Sequence, residues 1–197
     1  MQAVLLKKSG IPFAFIYLFC NFVPAMNQLR RAYVWLRRIA HCQGFGIQSP
    51  TDYRFVRNVI NESWPYYAYD EMPEEADWLK RKLGRLYLRL ANELQPRHVI
   101  DKVGVMDYVK AGCKQAEQVT DVDEVELAIV PIAVDYDRLL NRCSEQSVVV
   151  FQDIYKQMPL WHCIEYDRRV RVTFDLYYCG IVLFDKKRSP QNYVVNF

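Results

Sequence analysis

The apolar positions of this chain change period near Pro96, from helical spacing to short buried runs. Before that point Leu29, Tyr33, Leu36 and Ala40 recur at three- and four-residue steps and predict an amphipathic helix over 27–40, with Arg30, Arg31, Arg37 and Arg38 on its opposite face. Gly44, Gly46 and Pro50 mark a loop, after which Ser49 or Thr51 caps a helix carrying Tyr53, Phe55, Val56 and Ile60. Trp64–Tyr69 reads as an aromatic loop. Leu79, Leu83, Leu86, Leu90 and Leu94 trace one face of the best-defined helix, Asp77–Leu94. Glu74, Glu75 and Asp77 stand at the end where the helix dipole favours acid, and Gln95-Pro96 stops the helix.

Beyond Pro96 strands and helices alternate. His98–Asp101 reads as strand, Met106–Ala116 as helix and Gln118–Val122 as strand. Val125–Ile132 is a near-continuous apolar run, the mark of a strand buried on both faces. Tyr136–Cys143 is predicted helical, Val148–Phe151 a strand and Leu160–Arg168 a helix. Val170–Leu176 alternates strictly, which predicts a half-exposed strand near a sheet edge, and Ile181–Phe184 and Tyr193–Phe197 complete the set. Alternation of this kind predicts an α/β fold with an open, mostly parallel sheet that ends in antiparallel strands.

Composition narrows the classes. Of 197 residues, 51% are hydrophobic and 25% charged, as in a globular chain. A net charge of +3 is too small to imply nucleic acid, although 27–50 holds four arginines and no acid. Cys20, Cys42, Cys113, Cys143, Cys163 and Cys179 are scattered without the spacing of a zinc site, which suits free thiols in a reducing, cytoplasmic setting. Lys7 and Lys8 precede an apolar run, Ile11–Phe22, whose 12 residues fall short of a membrane span. A peripheral anchor or buried helix, a secretory signal and an extension from a misplaced start all fit it. Together with the basic helix, it suits peripheral membrane contact through residues 11–40. The resulting division is an apolar extension over 1–26, a helical and aromatic segment over 27–75 and the α/β domain over 76–197.

The segment HVIDKVGVMDYVKAG over 98–112 carries the candidate chemistry. A strand, an acid, a turn and a helix follow in the order used by nucleotide- and S-adenosylmethionine-binding domains. Their phosphate or cofactor loop needs several glycines so that backbone N–H groups can approach the ligand. Here Gly104 stands alone. His41, His98 and His162 lack partners at catalytic spacing, and no G-x-S-x-G, P-loop, H-E-x-x-H or EF-hand pattern occurs.

GFGIQSP…FVRNVI, YYAYDE, KLGRLYLRLANELQP, VVVFQDIY, VTFDLYYCGIVLF and the terminal YVVNF together resemble a bacterial family of class I SAM-dependent methyltransferases. That family reads H-G-I-H-S-P, L-G-x-L-x-x-R-L, E-I-G-T-S-x-G and D-D-I-H, and the likeness runs in order over about residues 40–197. The resemblance implies a Rossmann-like sheet of the class I methyltransferase type, here shortened. It departs where Asp101-Lys-Val-Gly104-Val-Met-Asp107 replaces E-I-G-T-S-x-G, where Gln48 replaces the histidine of H-S-P, and where Gln152-Asp153-Ile154-Tyr155 replaces D-D-I-H. The stretch between the family's second and fourth strands, which shapes the adenine pocket, is mostly missing. Its loss must expose apolar surface or be made good.

The resemblance implies site roles residue by residue. Asp101 and Gly104 would face the methionine part of S-adenosylmethionine, and Asp121 or Asp123 the ribose hydroxyls. Asp153 would orient an acceptor hydroxyl as the catalytic carboxylate, unless it caps the next helix; no metal is expected. Ser49, Tyr66 and Tyr67 stand on the substrate side, where the tyrosines and Trp64 offer flat contact area or the packing that closes the N-terminal segment. The expectation is a methyltransferase-like protein that has lost a competent cofactor site and acts as a non-catalytic binding or regulatory module. Its partner would be a small molecule or a protein, with a homodimer as one way to cover apolar surface. An active SAM-dependent methyltransferase of unknown acceptor and a disrupted paralogue without a discrete role are the alternatives.

Overall fold

The computed structural model describes residues 28–70, 72 and 77–197, so the run Ile11–Phe22 and the acids Glu74 and Glu75 lie outside the described residues. The chain divides after Ile39 into two units. In the first, residues 28–37 are helical (α1), and the Arg37 guanidinium lies 5.9 Å from the centre of the Tyr33 ring. No helix among the described residues is long and apolar enough to cross a membrane.

The second unit, Ala40–Phe197, is built on seven strands. They are β1 (His98–Asp101), β2 (Glu117–Gln118), β3 (Val125–Pro131), β4 (Cys143–Gln152), β5 (Val172–Asp175), β6 (Cys179–Leu183) and β7 (Gln191–Val194), in the order β2-β1-β3-β4-β6-β5-β7. β2, β1, β3 and β4 run parallel, β6 is antiparallel to β4 and to β5, and β7 is parallel to β5. The sheet is thus α/β and mostly parallel, with antiparallel pairing towards its C-terminal end.

Helices cover both faces. α2 (Pro50–Phe55) is capped by Ser49 and runs on into a wider turn, Val56–Ile60. With α3 (Trp78–Leu94) and α4 (Met106–Gly112) it covers Val99, Leu127, Ile129, Val150 and Phe174. α5 (Tyr136–Leu140) and α6 (Met158–Glu165) cover Ile100, Ala128, Val130, Val149 and Phe151 on the other face. The leucine stripe of α3 behaves as its spacing predicts: Leu83, Leu86 and Leu90 are buried, and each such side chain contributes roughly 1.5–3 kcal/mol. Asp77 caps α3, its carboxylate accepting the Leu79 N–H at 2.7 Å. Buried Asp52 on α2 accepts from Arg188 at 2.5 Å and from the Tyr193 hydroxyl at 3.1 Å, which ties the N-terminal segment to the far edge of the sheet.

The structure corrects several expected elements. α4 stops at Gly112 rather than Ala116, and β2 is two residues long. β4 begins at Cys143, a residue expected to end a helix. The strand of strict alternation, β5, lies one strand in from the sheet edge, near it as expected, but it is not half-exposed. All four of its residues are buried, because β7 pairs outside it and its polar members are bonded. Thr173 meets the Asn192 side chain at 2.9 Å, and Asp175 accepts the Tyr177 N–H at 2.7 Å. The final strand runs parallel to its neighbour, not antiparallel.

The chain from β2 to β3 has only residues 119–124 in which to pass β1. Parallel crossovers ordinarily carry a helix. Here a strap stands in for one, and Val119 and Val122 pack against the cluster holding Ile100 and Val130. Ile100 stays 5% exposed beneath it. The apolar surface expected from the missing stretch is therefore covered.

Candidate functional site

Because β1 sends its connection to β2 on one side while β3 lies on the other, the sheet has a topological switch point at β1. Open α/β sheets bind ligands at the C-terminal strand ends beside such a point. The 102–105 turn is held there by one group. The carboxylate of Asp101, 8% exposed, accepts the N–H of Val103 at 2.9 Å, of Gly104 at 2.9 Å and of Val105 at 2.6 Å. Converging backbone N–H groups of this kind form an anion-binding concavity, and its anion is the protein's own side chain. Gly104, at φ +77°, supplies the left-handed residue that lets three successive N–H groups converge. The remaining Lys102 N–H is bonded to the Ile129 carbonyl at 3.0 Å, and Gln118 donates to the Asp101 carbonyl at 3.0 Å.

Beside the loop, between the strap and α5, lies a pocket of about 310 Å³. Ile100 and Val130 line it together with Lys102, Asp121, Asp135 and Arg138. Asp121 is ion-paired with Arg142 and stands 3.9 Å from Arg138. Asp123 is an exposed residue of the strap. The structure thus brings Asp101, Gly104 and Asp121 to one corner of the sheet, with the carboxylates of Asp101 and Asp121 already engaged.

Asp153 follows β4 at the same sheet end, with φ +62°. Its carboxylate caps no helix; it takes the Lys156 ammonium at 2.7 Å, a bond that holds Lys156 above the usual lysine range. Its backbone N–H donates to Tyr178 at 2.8 Å. Tyr177 in the β5–β6 turn also has a left-handed backbone, φ +70°, a costly conformation for a bulky side chain. The turn presents aromatic rings: Tyr155 stacks on Tyr177 at 5.3 Å, and Tyr178 meets Tyr155 at 6.0 Å and Trp78 at 6.1 Å.

Between these corners stands Tyr87 of α3, fully buried and without a hydrogen-bond partner of proper geometry, though the Gln152 side chain lies within range. Burial pushes its phenol far up, and the nearby Cys179, Asp153 and Asp101 add to the shift. It is held as a neutral O–H. Its place was readable only as a core position, one turn from Leu83 and Leu90.

The residues expected on the substrate side lie in the N-terminal part of this unit. The Ser49 hydroxyl accepts the Asp52 N–H at 3.3 Å, so it starts α2. Tyr66 lies 5.3 Å from Tyr69, burial raising its phenol, while Tyr67 is 94% exposed. Tyr69, in turn, accepts from Arg89 at 2.9 Å. Among the described residues no three His, Cys, Asp or Glu side chains converge as a metal site, and Cys42, Cys113, Cys143, Cys163 and Cys179 are free thiols. Burial raises the Cys143 thiol to about 12.

Fold and site together define an open α/β-sheet protein in which the loop after β1 is closed by its own Asp101 carboxylate. No family model, curated protein or solved structure matches the chain.

Proposed function

We propose that this chain is a methyltransferase-like α/β protein that does not hold S-adenosylmethionine and works as a non-catalytic binding module in the cytoplasm. The sheet supports the Rossmann-like reading through its switch at β1 and its antiparallel strand between β4 and β5. The observation that carries the loss of cofactor is the Asp101 carboxylate bonded to three successive loop N–H groups. A cofactor group that takes these N–H donors must break those bonds, and each bond to a charged group is worth about 1.5–3 kcal/mol. On the ribose side the candidate acid, Asp121, is held by Arg142. These residues do not fit the cofactor, so no transfer step is assigned to Asp153. Its aromatic surroundings suit recognition of a flat ligand instead. Free thiols such as Cys163 and Cys179 support the reducing compartment.

Calorimetric titration of S-adenosylmethionine and S-adenosylhomocysteine into the full chain tests this reading. The expected result is no saturable heat at about millimolar cofactor, a binding energy weaker than about −4 kcal/mol. Micromolar binding would establish an open pocket and favour an active methyltransferase.

A further inference from the structure

α3 carries a second pattern beside its leucines. Trp78, Lys82, Arg85 and Arg89 follow one another at four-, three- and four-residue steps, so they share a face. That face lines a pocket of about 380 Å³, separate from the cofactor loop, closed by the Asn61–Ser63 turn, Tyr69 and Phe197.

The cations there are set in place before any ligand arrives. Arg89, 5% exposed, donates to the carbonyls of Val59 at 2.6 Å and Ile60 at 2.9 Å and to the Tyr69 hydroxyl at 2.9 Å. It thereby closes the end of the Val56–Ile60 turn, with neutral acceptors only. The Arg85 guanidinium lies 4.8 Å from the centre of the Tyr69 ring. The Lys82 ammonium lies 4.6 Å from the Phe197 ring and 5.0 Å from the Trp78 ring, a pair of cation–π contacts. Among the described residues no carboxylate forms an ion pair with Lys82, Arg85 or Arg89. Among the described residues the one acidic side chain lining the pocket is Glu62, which accepts the Trp64 N–H at 2.9 Å. Burial and the Arg89 charge push the Lys82 ammonium below its ordinary range, as expected where positive charge outweighs negative.

Arg89 is buried and Lys82 half-buried, neither with a counter-charge among the described residues, and an anion entering beside them and the exposed Arg85 relieves that excess of positive charge. A phosphate carries about two negative charges and several acceptor oxygens, matching a lysine point charge beside arginine forks better than a carboxylate does. At about 380 Å³ the pocket exceeds what a bare phosphate fills, and Trp78 offers an aromatic wall next to Tyr178. We infer that the Lys82–Arg85–Arg89 face of α3 binds a small phosphate monoester, its phosphate at Lys82 and Arg85 and its body against Trp78.

Inorganic phosphate and phenyl phosphate titrated calorimetrically into the full chain at low salt test the proposal. Saturable binding is expected for both, with phenyl phosphate about tenfold tighter through the Trp78 wall. Lys82→Met should weaken phenyl phosphate at least about tenfold, and Arg85→Gln about threefold, while Lys110→Met on α4 changes nothing. Arg85 is exposed, so its variant decides the matter if Lys82→Met does not fold. Absence of saturable heat with either probe, or unchanged affinity in Arg85→Gln and Lys82→Met, overturns the assignment. These outcomes are independent of whether S-adenosylmethionine binds.

Discussion

Replacement of Trp161 by alanine is expected to lower the unfolding free energy by about 4 kcal/mol, a large share of the roughly 5–15 kcal/mol of a domain. Trp161 is the anchor of α6. It is fully buried, edge-on to Phe151 at 6.4 Å, and lies against Gly180 of β6 so closely that a Cβ there would come under 3.0 Å from the ring. Its indole N–H has no partner, so the loss is one of apolar contact and of the cavity left behind, with no hydrogen bond to subtract. Urea unfolding followed by circular dichroism measures it. A loss under about 1 kcal/mol would mean that α6 does not dock on β4 and β6 as described.

Gly112→Ala is expected to destabilise by about 3 kcal/mol, at the upper end for overpacking. At the end of α4, a Cβ on Gly112 would come under 3.0 Å from the Leu88 carbonyl of α3, a backbone atom that cannot rotate aside. The two helices must separate, and α4 is the helix that follows the Asp101 loop. Gly104→Ala is the useful contrast. Its Cβ would meet nothing within 4 Å, so only the left-handed backbone opposes it, at about 1 kcal/mol. Thermal melts of the two variants should therefore separate clearly. Equal melting points would contradict the close α3–α4 packing.

What the sequence disclosed depended on whether the controlling force is local. The stripe Leu83, Leu86, Leu90 reports its burial through spacing, and the run Val125–Ile132 reports a strand covered on both faces. The shortage of residues between β2 and β3 was likewise legible, as a missing crossover. β5 misled because alternation measures polarity rather than exposure. Thr173 and Asp175 are polar yet buried, satisfied by Asn192 and by the Tyr177 N–H. The lone Gly104 showed that the loop is poor in glycine, but that Asp101 bonds three of its N–H groups depends on a side-chain orientation no pattern encodes. Asp153 was placed at the correct sheet end, whereas its salt bridge to Lys156 needed coordinates. Tyr87 and Lys82 were hidden for a related reason. Each sits on a helix whose apolar face draws attention, and each acquires its character from elements distant in the chain, Asp153 and Phe197 among them.

The measurement closest to the central claim is amide hydrogen exchange at Val103, Gly104 and Val105 by NMR. If the Asp101 carboxylate fills the loop, these three N–H groups are protected in the wild-type protein by at least about tenfold over the same amides in Asp101→Ala. Adding S-adenosylhomocysteine at about millimolar concentration leaves the wild-type pattern unchanged. Unprotected amides in the wild type, or protection that appears only with the cofactor, would contradict the account and return the loop to the role of a cofactor site.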